Sequence, residues 1–178
     1  MITIKSKGKK TVLCETKQGS LVVFPEGDIK KGEAGKRFLL DKAQDQQVEG
    51  VISWPGEYDY DGISIRGVGV NGNVSYIVTV DNLRCGFMNA PLGEWSEYEI
   101  ELLGDLDVLI IPAEDVKKVQ AIVEEVDPPL VIPMRTADDK IFNEVVAACG
   151  GKDTETVKEI KLKKSSLPTE SREVYVLG

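Results

Sequence analysis

The run DVLIIPAEDVKKVQAIVEEVDPPLVIPMR, residues 107–135, decides the architecture. It opens with a nearly unbroken apolar segment, Val108 to Pro112, as expected of a strand covered on both faces. Val116, Val119, Val123 and Val126 then fall on one helical face, with Glu and Lys opposite. A second apolar strand, PPLVIPM, ends in Arg135. Residues 138–149 repeat the helical pattern and would bury Ile141, Phe142, Val145, Val146 and Cys149. Strand ends that open onto the mouth of a sheet commonly carry a site. An arginine stands at this one, in a chain without histidine.

Upstream, the chain reads as strands. MITIKS, TVLCET and SLVVF, the last after a Lys17, Gln18, Gly19 turn, predict a β-meander. Residues 25–37 are rich in Gly and charge and predict a loop, with RFLL as a short strand after it. VEGVISW and GISIRGVGV read as strands separated by a PGEYDYD turn. NVSYIVTV and RCGFMN predict a hairpin around Asp81 and Asn82. Residues 95–103 predict a helix, with Ser96 as N-cap and Glu99 at the capping-box position. EIKLKK and REVYVLG close the chain as strands. The expectation is one domain over residues 1–178, a β-sandwich whose two halves each supply a sheet, with helices on the outer faces.

Composition narrows the chemistry. Of 178 residues, 42 % are apolar, enough for a real core. A net charge of −8 disfavours general nucleic-acid binding. Basic residues do cluster at Lys5, Lys7, Lys9 and Lys10 and again at Lys158, Lys161, Lys163 and Lys164; solvated strand and turn faces account for both. No apolar run has membrane-spanning length and no signal-peptide pattern opens the chain, so a cytoplasmic, non-membrane protein is expected. Cys14, Cys85 and Cys149 stand apart in apolar settings and read as buried small hydrophobes. Without histidine there is no Ser-His-Asp or Cys-His nucleophile and no histidine-rich metal site. Carboxylate chemistry and oxygen-ligand metal sites stay open. Glu57, Asp59 and Asp61 alternate and would share one side if extended; a solvated acidic turn is the plainer reading.

Taken in order, ISWPGEYDYDGISIRGV (52–68), NVSYIVTVDNLRCGFMNAPLGEW (73–95), LLGDLDVLIIP (102–112), VIPMR (131–135) and EIKLKKSSLPTESREVYVL resemble the metallo-β-lactamase fold. More narrowly, they are similar to its small members related to the ascorbate-6-phosphate lactonases. The resemblance implies a reduced α/β fold, an αββα sandwich of two mixed sheets flanked by helices. The family's His-x-His-x-Asp-His loop would fall in DIKKGEAGKRFLLDKAQDQQ, which holds no such motif. The next histidine's loop is cut to GVNGN. The bridging aspartate falls near Asn89, and the last histidine falls on Arg135. Every expected ligand position is deleted or substituted. The resemblance therefore implies a non-catalytic protein with no metal or other cofactor. It would be a binding or scaffolding module for a protein partner or a second copy of itself, through a relic cleft near Glu57, Asn89 and Arg135, with room for a small anionic ligand. In that cleft Arg135 would stand in for a cation and pair with a carboxylate, Glu57 being a candidate. The alternative is a hydrolase of the lactonase or phosphodiesterase type, working through carboxylates or an oxygen-bound divalent ion.

Overall fold

The computed structural model describes residues 1–27, 35–151 and 154–178. Its strands are β1 (Ile2–Ser6), β2 (Val12–Glu15), β3 (Ser20–Val23), β4 (Lys36–Leu39), β5 (Val51–Ile52), β6 (Gly56–Tyr60), β7 (Ile63–Val70), β8 (Asn73–Val80) and β9 (Leu83–Phe87). Helix α1 (Glu97–Glu101), strand β10 (Val108–Pro112), helix α2 (Val116–Val126), strand β11 (Leu130–Met134) and helix α3 (Asp139–Ala148) follow. Short strands β12 (Thr156–Val157), β13 (Ile160–Leu162), β14 (Glu173–Val174) and β15 (Val176–Leu177) complete the chain.

These strands form two mixed sheets, ordered β13-β1-β2-β3-β4-β5 and β14-β11-β10-β9-β8-β7-β6, with β12 and β15 paired separately. The result is a small α/β sandwich of two mixed sheets flanked by few helices. The meander β1, β2, β3 is antiparallel as expected, and β4 and β5 join it in parallel. Between the sheets lies one apolar layer, including Ile4, Cys14, Leu21, Ile65, Tyr76, Phe87, Ile110 and Ile132. A second layer lies between the longer sheet and the helices, where Ile77, Leu109, Ile111 and Val131 meet Val119, Ile122, Val123, Phe142 and Val145. Strands β10 and β11 are thus buried along their whole length, with apolar neighbours on both faces.

The expected capping box is present: the Ser96 hydroxyl accepts from Glu99 N–H, and the Glu99 carboxylate accepts from Ser96 N–H. Asp115 caps α2 and Asp138 caps α3. The two helices' expected faces are buried at Val119 and Val123 and at Phe142, Val145 and Cys149. The hairpin at Asp81 and Asn82 is also as read, with both residues at positive φ.

Three expectations change. The sheets do not divide at mid-chain, because β6 to β9 belong to the second sheet and β13 returns to the first. PGEYDYD is not a turn: Gly56–Tyr60 is an edge strand paired with β7, and only Asp61 and Gly62 make the turn. The loop expected at residues 25–37 lies partly outside the described residues, and Lys36 and Arg37 already belong to β4.

Trp54 and Pro55 carry the chain from one sheet to the other, directly over β7. A Cβ at Gly67 would stand 2.9 Å from the Trp54 carbonyl oxygen, and one at Gly69 2.9 Å from Pro55 Cγ. Only glycine admits so close a passage of backbone. Beside this crossing, Tyr76 of β8 spans the sandwich: its hydroxyl lies 2.6 Å from Leu40 O and 3.1 Å from Ile52 O. Burial holds the Tyr76 hydroxyl in its protonated, donating form far above neutral pH. Tyr76→Phe should therefore destabilise the fold by about 1–3 kcal/mol, with Leu40 O stripped of this donor in the interior. Urea unfolding of the two proteins measures it, and an unchanged midpoint would show the link contributes nothing.

Candidate functional site

Strands β9, β10 and β11 run parallel and end together, so their C-terminal ends form one mouth. Asn89, Glu114 and Arg135 leave it from the three successive strands. Asn89 is buried and engaged on every side. Its side-chain oxygen accepts from the Ser75 hydroxyl at 2.8 Å, its backbone N–H donates to Ser75 Oγ at 3.0 Å, and its Nδ2 donates to Pro91 O at 3.2 Å. Glu114 accepts from Leu92 N–H at 2.8 Å, which ties the segment after β9 to the end of β10.

Arg135 turns toward α3. It forms an ion pair with Asp139, and its guanidinium stacks over the Phe142 ring 4.0 Å from the centroid. Its expected pairing with Glu57 does not form. Glu57 lies on β6, five strands from β11 and roughly 24 Å away at ordinary strand spacing. It stands 4.0 Å from Arg66 and is 84 % exposed. The structure therefore places Asn89 and Arg135 at one mouth and Glu57 at the far sheet edge.

Glu114, Ser75 and Asp139 are the mouth residues that sequence reasoning missed. Asp139 had a visible signal, its four-residue spacing from Arg135 at a helix start. Glu114 follows a buried strand directly, as Arg135 does. Nothing local marks Ser75, which meets Asn89 only across the sheet.

The donor set at the mouth does not fit a metal ion. Arg135 is a fixed cation with no acceptor atom, and the Asn89 amide is spent on internal bonds. Among the described residues, no group of three or more His, Cys, Asp or Glu is placed to hold an ion. Thiolate chemistry has no foothold either, since burial pushes the Cys85 thiol up to about 12 and the Cys149 thiol to about 11. Arg135 also borders a groove of about 250 Å³, lined by Phe142, Asn143, Thr154 and Thr156 among others.

The family model described as the beta-lactamase superfamily domain matches residues 29–135, more than half of the chain. No curated protein matches it. Among solved structures, the chain is similar to a metallo-beta-lactamase superfamily protein from Thermotoga maritima, at 17 % identity and a TM-score of 0.72 over 99 % of each chain. It is similar to Igni18, a metallo hydrolase from Ignicoccus hospitalis, at 13 % identity and TM-score 0.63, covering 91 % of this chain and 99 % of that one. The metallo-beta-lactamase fold protein YhfI from Bacillus subtilis matches at 10 % identity and TM-score 0.61, over 85 % of this chain and 95 % of that one. At these identities the likeness concerns the fold alone.

As a structural peg at the mouth, Asn89 gives a definite expectation: Asn89→Ala should destabilise the protein by about 1–3 kcal/mol, because the buried Ser75 hydroxyl loses its acceptor and keeps only the backbone N–H of residue 89. Urea unfolding checks this. A stability equal to that of the parent would instead leave Asn89 free for a ligand.

Proposed function

We infer that this chain, which belongs to the beta-lactamase superfamily domain family, is a non-catalytic, metal-free binding or scaffolding module. The engagement of Asn89 carries the reading. Where the resemblance to metallo-β-lactamases sets the Gly-Asp pair that carries a bridging carboxylate, this chain sets Asn89 and Ala90, the first with a buried amide bonded to Ser75 and Pro91 O. The position has become part of the scaffold. Arg135 supports the same reading, since its charge meets Asp139 and its plane meets Phe142. Metal hydrolases of this architecture depend on a metal-bound water that ionises near neutral pH. Among the described residues no donor set for the metal is found, and the reading takes that nucleophile to be lost. The ordered sequence blocks support descent from the lactonase-related branch, with hydrolysis lost and interaction retained. A protein partner, in the cytoplasm, is the occupant this reading favours.

Metal content tests it. Protein made without a histidine tag, grown with added Zn²⁺, Mn²⁺ and Fe²⁺, should leave gel filtration with no stoichiometric metal by elemental mass spectrometry. One or two metals per chain would overturn the reading.

The groove beside Arg135 favours a second reading, in which a small anionic ligand is recognised there. Arg135, Asn143, Thr154 and Thr156, residue types that hydrogen-bond anions, are among its lining. A phosphorylated metabolite that binds should then raise the melting temperature by a few degrees, and Arg135→Ala should abolish the shift. A panel of phosphorylated metabolites that leaves the melting temperature unchanged refutes this second reading.

A further inference from the structure

We propose that the free edge of β6 is the interaction surface of this protein, and that it takes up an extended, basic segment of a partner as an added strand. The proposal rests on the binding-module reading and names where and what the module binds.

Among the described residues β6 is the last strand of the longer sheet and pairs only with β7. The turn joining them is Asp61 and Gly62, at φ 53° and 84°, the geometry of a two-residue turn with both central residues left-handed. Such a turn makes Tyr60 and Ile63 a hydrogen-bonded pair. Alternation along the ladder then makes Tyr58 with Ile65, and Gly56 with Gly67, hydrogen-bonded pairs as well. The N–H and C=O groups of Glu57 and Asp59 consequently face outward, along the open edge. A docking strand would find two donors and two acceptors at strand spacing.

The side chains say which strand fits. Glu57 and Asp59 are both exposed and point to the same face of the sheet. A second copy paired through this edge would set these carboxylates against their own counterparts, which is repulsive. A segment with Lys or Arg at alternate positions would meet each carboxylate with a cation. At the head of the edge stands Trp54, 52 % exposed and held by a 3.0 Å hydrogen bond from Nε1 to Gln44 O. Tyr58 fixes the same corner by donating to Trp54 O at 2.9 Å. An exposed, positioned indole beside an open strand is the kind of anchor on which interfaces concentrate their affinity.

Backbone amide exchange tests this, with a short capped peptide alternating Lys and Val as the probe. It should slow exchange of the Glu57 and Asp59 amides by about tenfold or more, while the equivalent Glu and Val peptide should not. Asp59→Pro removes an outward donor without touching the β6–β7 ladder, so it should abolish the protection and keep the parent melting temperature. Should that variant unfold, joint reversal of Glu57→Lys and Asp59→Lys should make the Glu and Val peptide the one that protects. Unchanged exchange with the Lys peptide overturns the proposal. So does equal protection by both peptides, or protection that rises with protein concentration alone, which would mark a second copy at the edge. A metal-loaded protein would defeat the binding-module reading, whereas unprotected amides would defeat only the edge.

Discussion

The passage of Trp54 and Pro55 over Gly67 and Gly69 is the constraint on which the sandwich rests. It is where the chain leaves one sheet for the other, at a separation that no side chain on β7 could tolerate. Because the crossing is so tight, β6 must start immediately beyond it and lie against β7 as the outer strand. The sheets are then tied beside the crossing by the Tyr76 hydroxyl and by the hydrogen bond from Val74 N–H to Asp41 O at 2.8 Å. These are polar contacts in an otherwise apolar layer. They act as fixed points: apolar packing tolerates small slides, whereas a buried carbonyl that loses its donor does not.

The mouth at the ends of β9, β10 and β11 is held by bonds among its own residues. A ligand position must keep lone pairs directed at open space. The Asn89 side-chain oxygen and one Glu114 oxygen accept protein hydrogens, and Arg135 has no lone pair to direct. Each of the three residues is bonded to its own surroundings, so the mouth is stabilised by the groups that line it. Cationic charge at the mouth is likewise balanced locally, by Asp139 at the start of α3.

The elements with a local signature were legible in the sequence. Unbroken apolar runs marked β10 and β11, valine spacing marked α2, and the Ser96 and Glu99 pair marked the start of α1. β6 was not, because Pro55 and Gly56 precede it and its outward residues are acidic, so it has the composition of a turn. Tyr58 and Tyr60, half-buried against the core at alternate positions, were the strand signal within it. The division of strands between the sheets was hidden for a different reason. Strand order is set by contacts between distant segments, and no local pattern places β13 beside β1. At the mouth, Asn89 and Arg135 could be located by alignment of sequence blocks. Their partners could be located only where they were near in sequence, as Asp139 is and Ser75 is not.

The pairing of β1 with β13, Ile2 against Leu162, has a consequence for how the molecule is made. β1 has one flank that stays open until β13, far along the chain, docks on it. Until then β1 stands as a bare rim beside β2, its amides and carbonyls open to any passing strand. β14 closes the other sheet against β11 in the same late fashion. Both sheets are therefore finished by pairings of long sequence separation, which form slowly and leave strand rims exposed until they do.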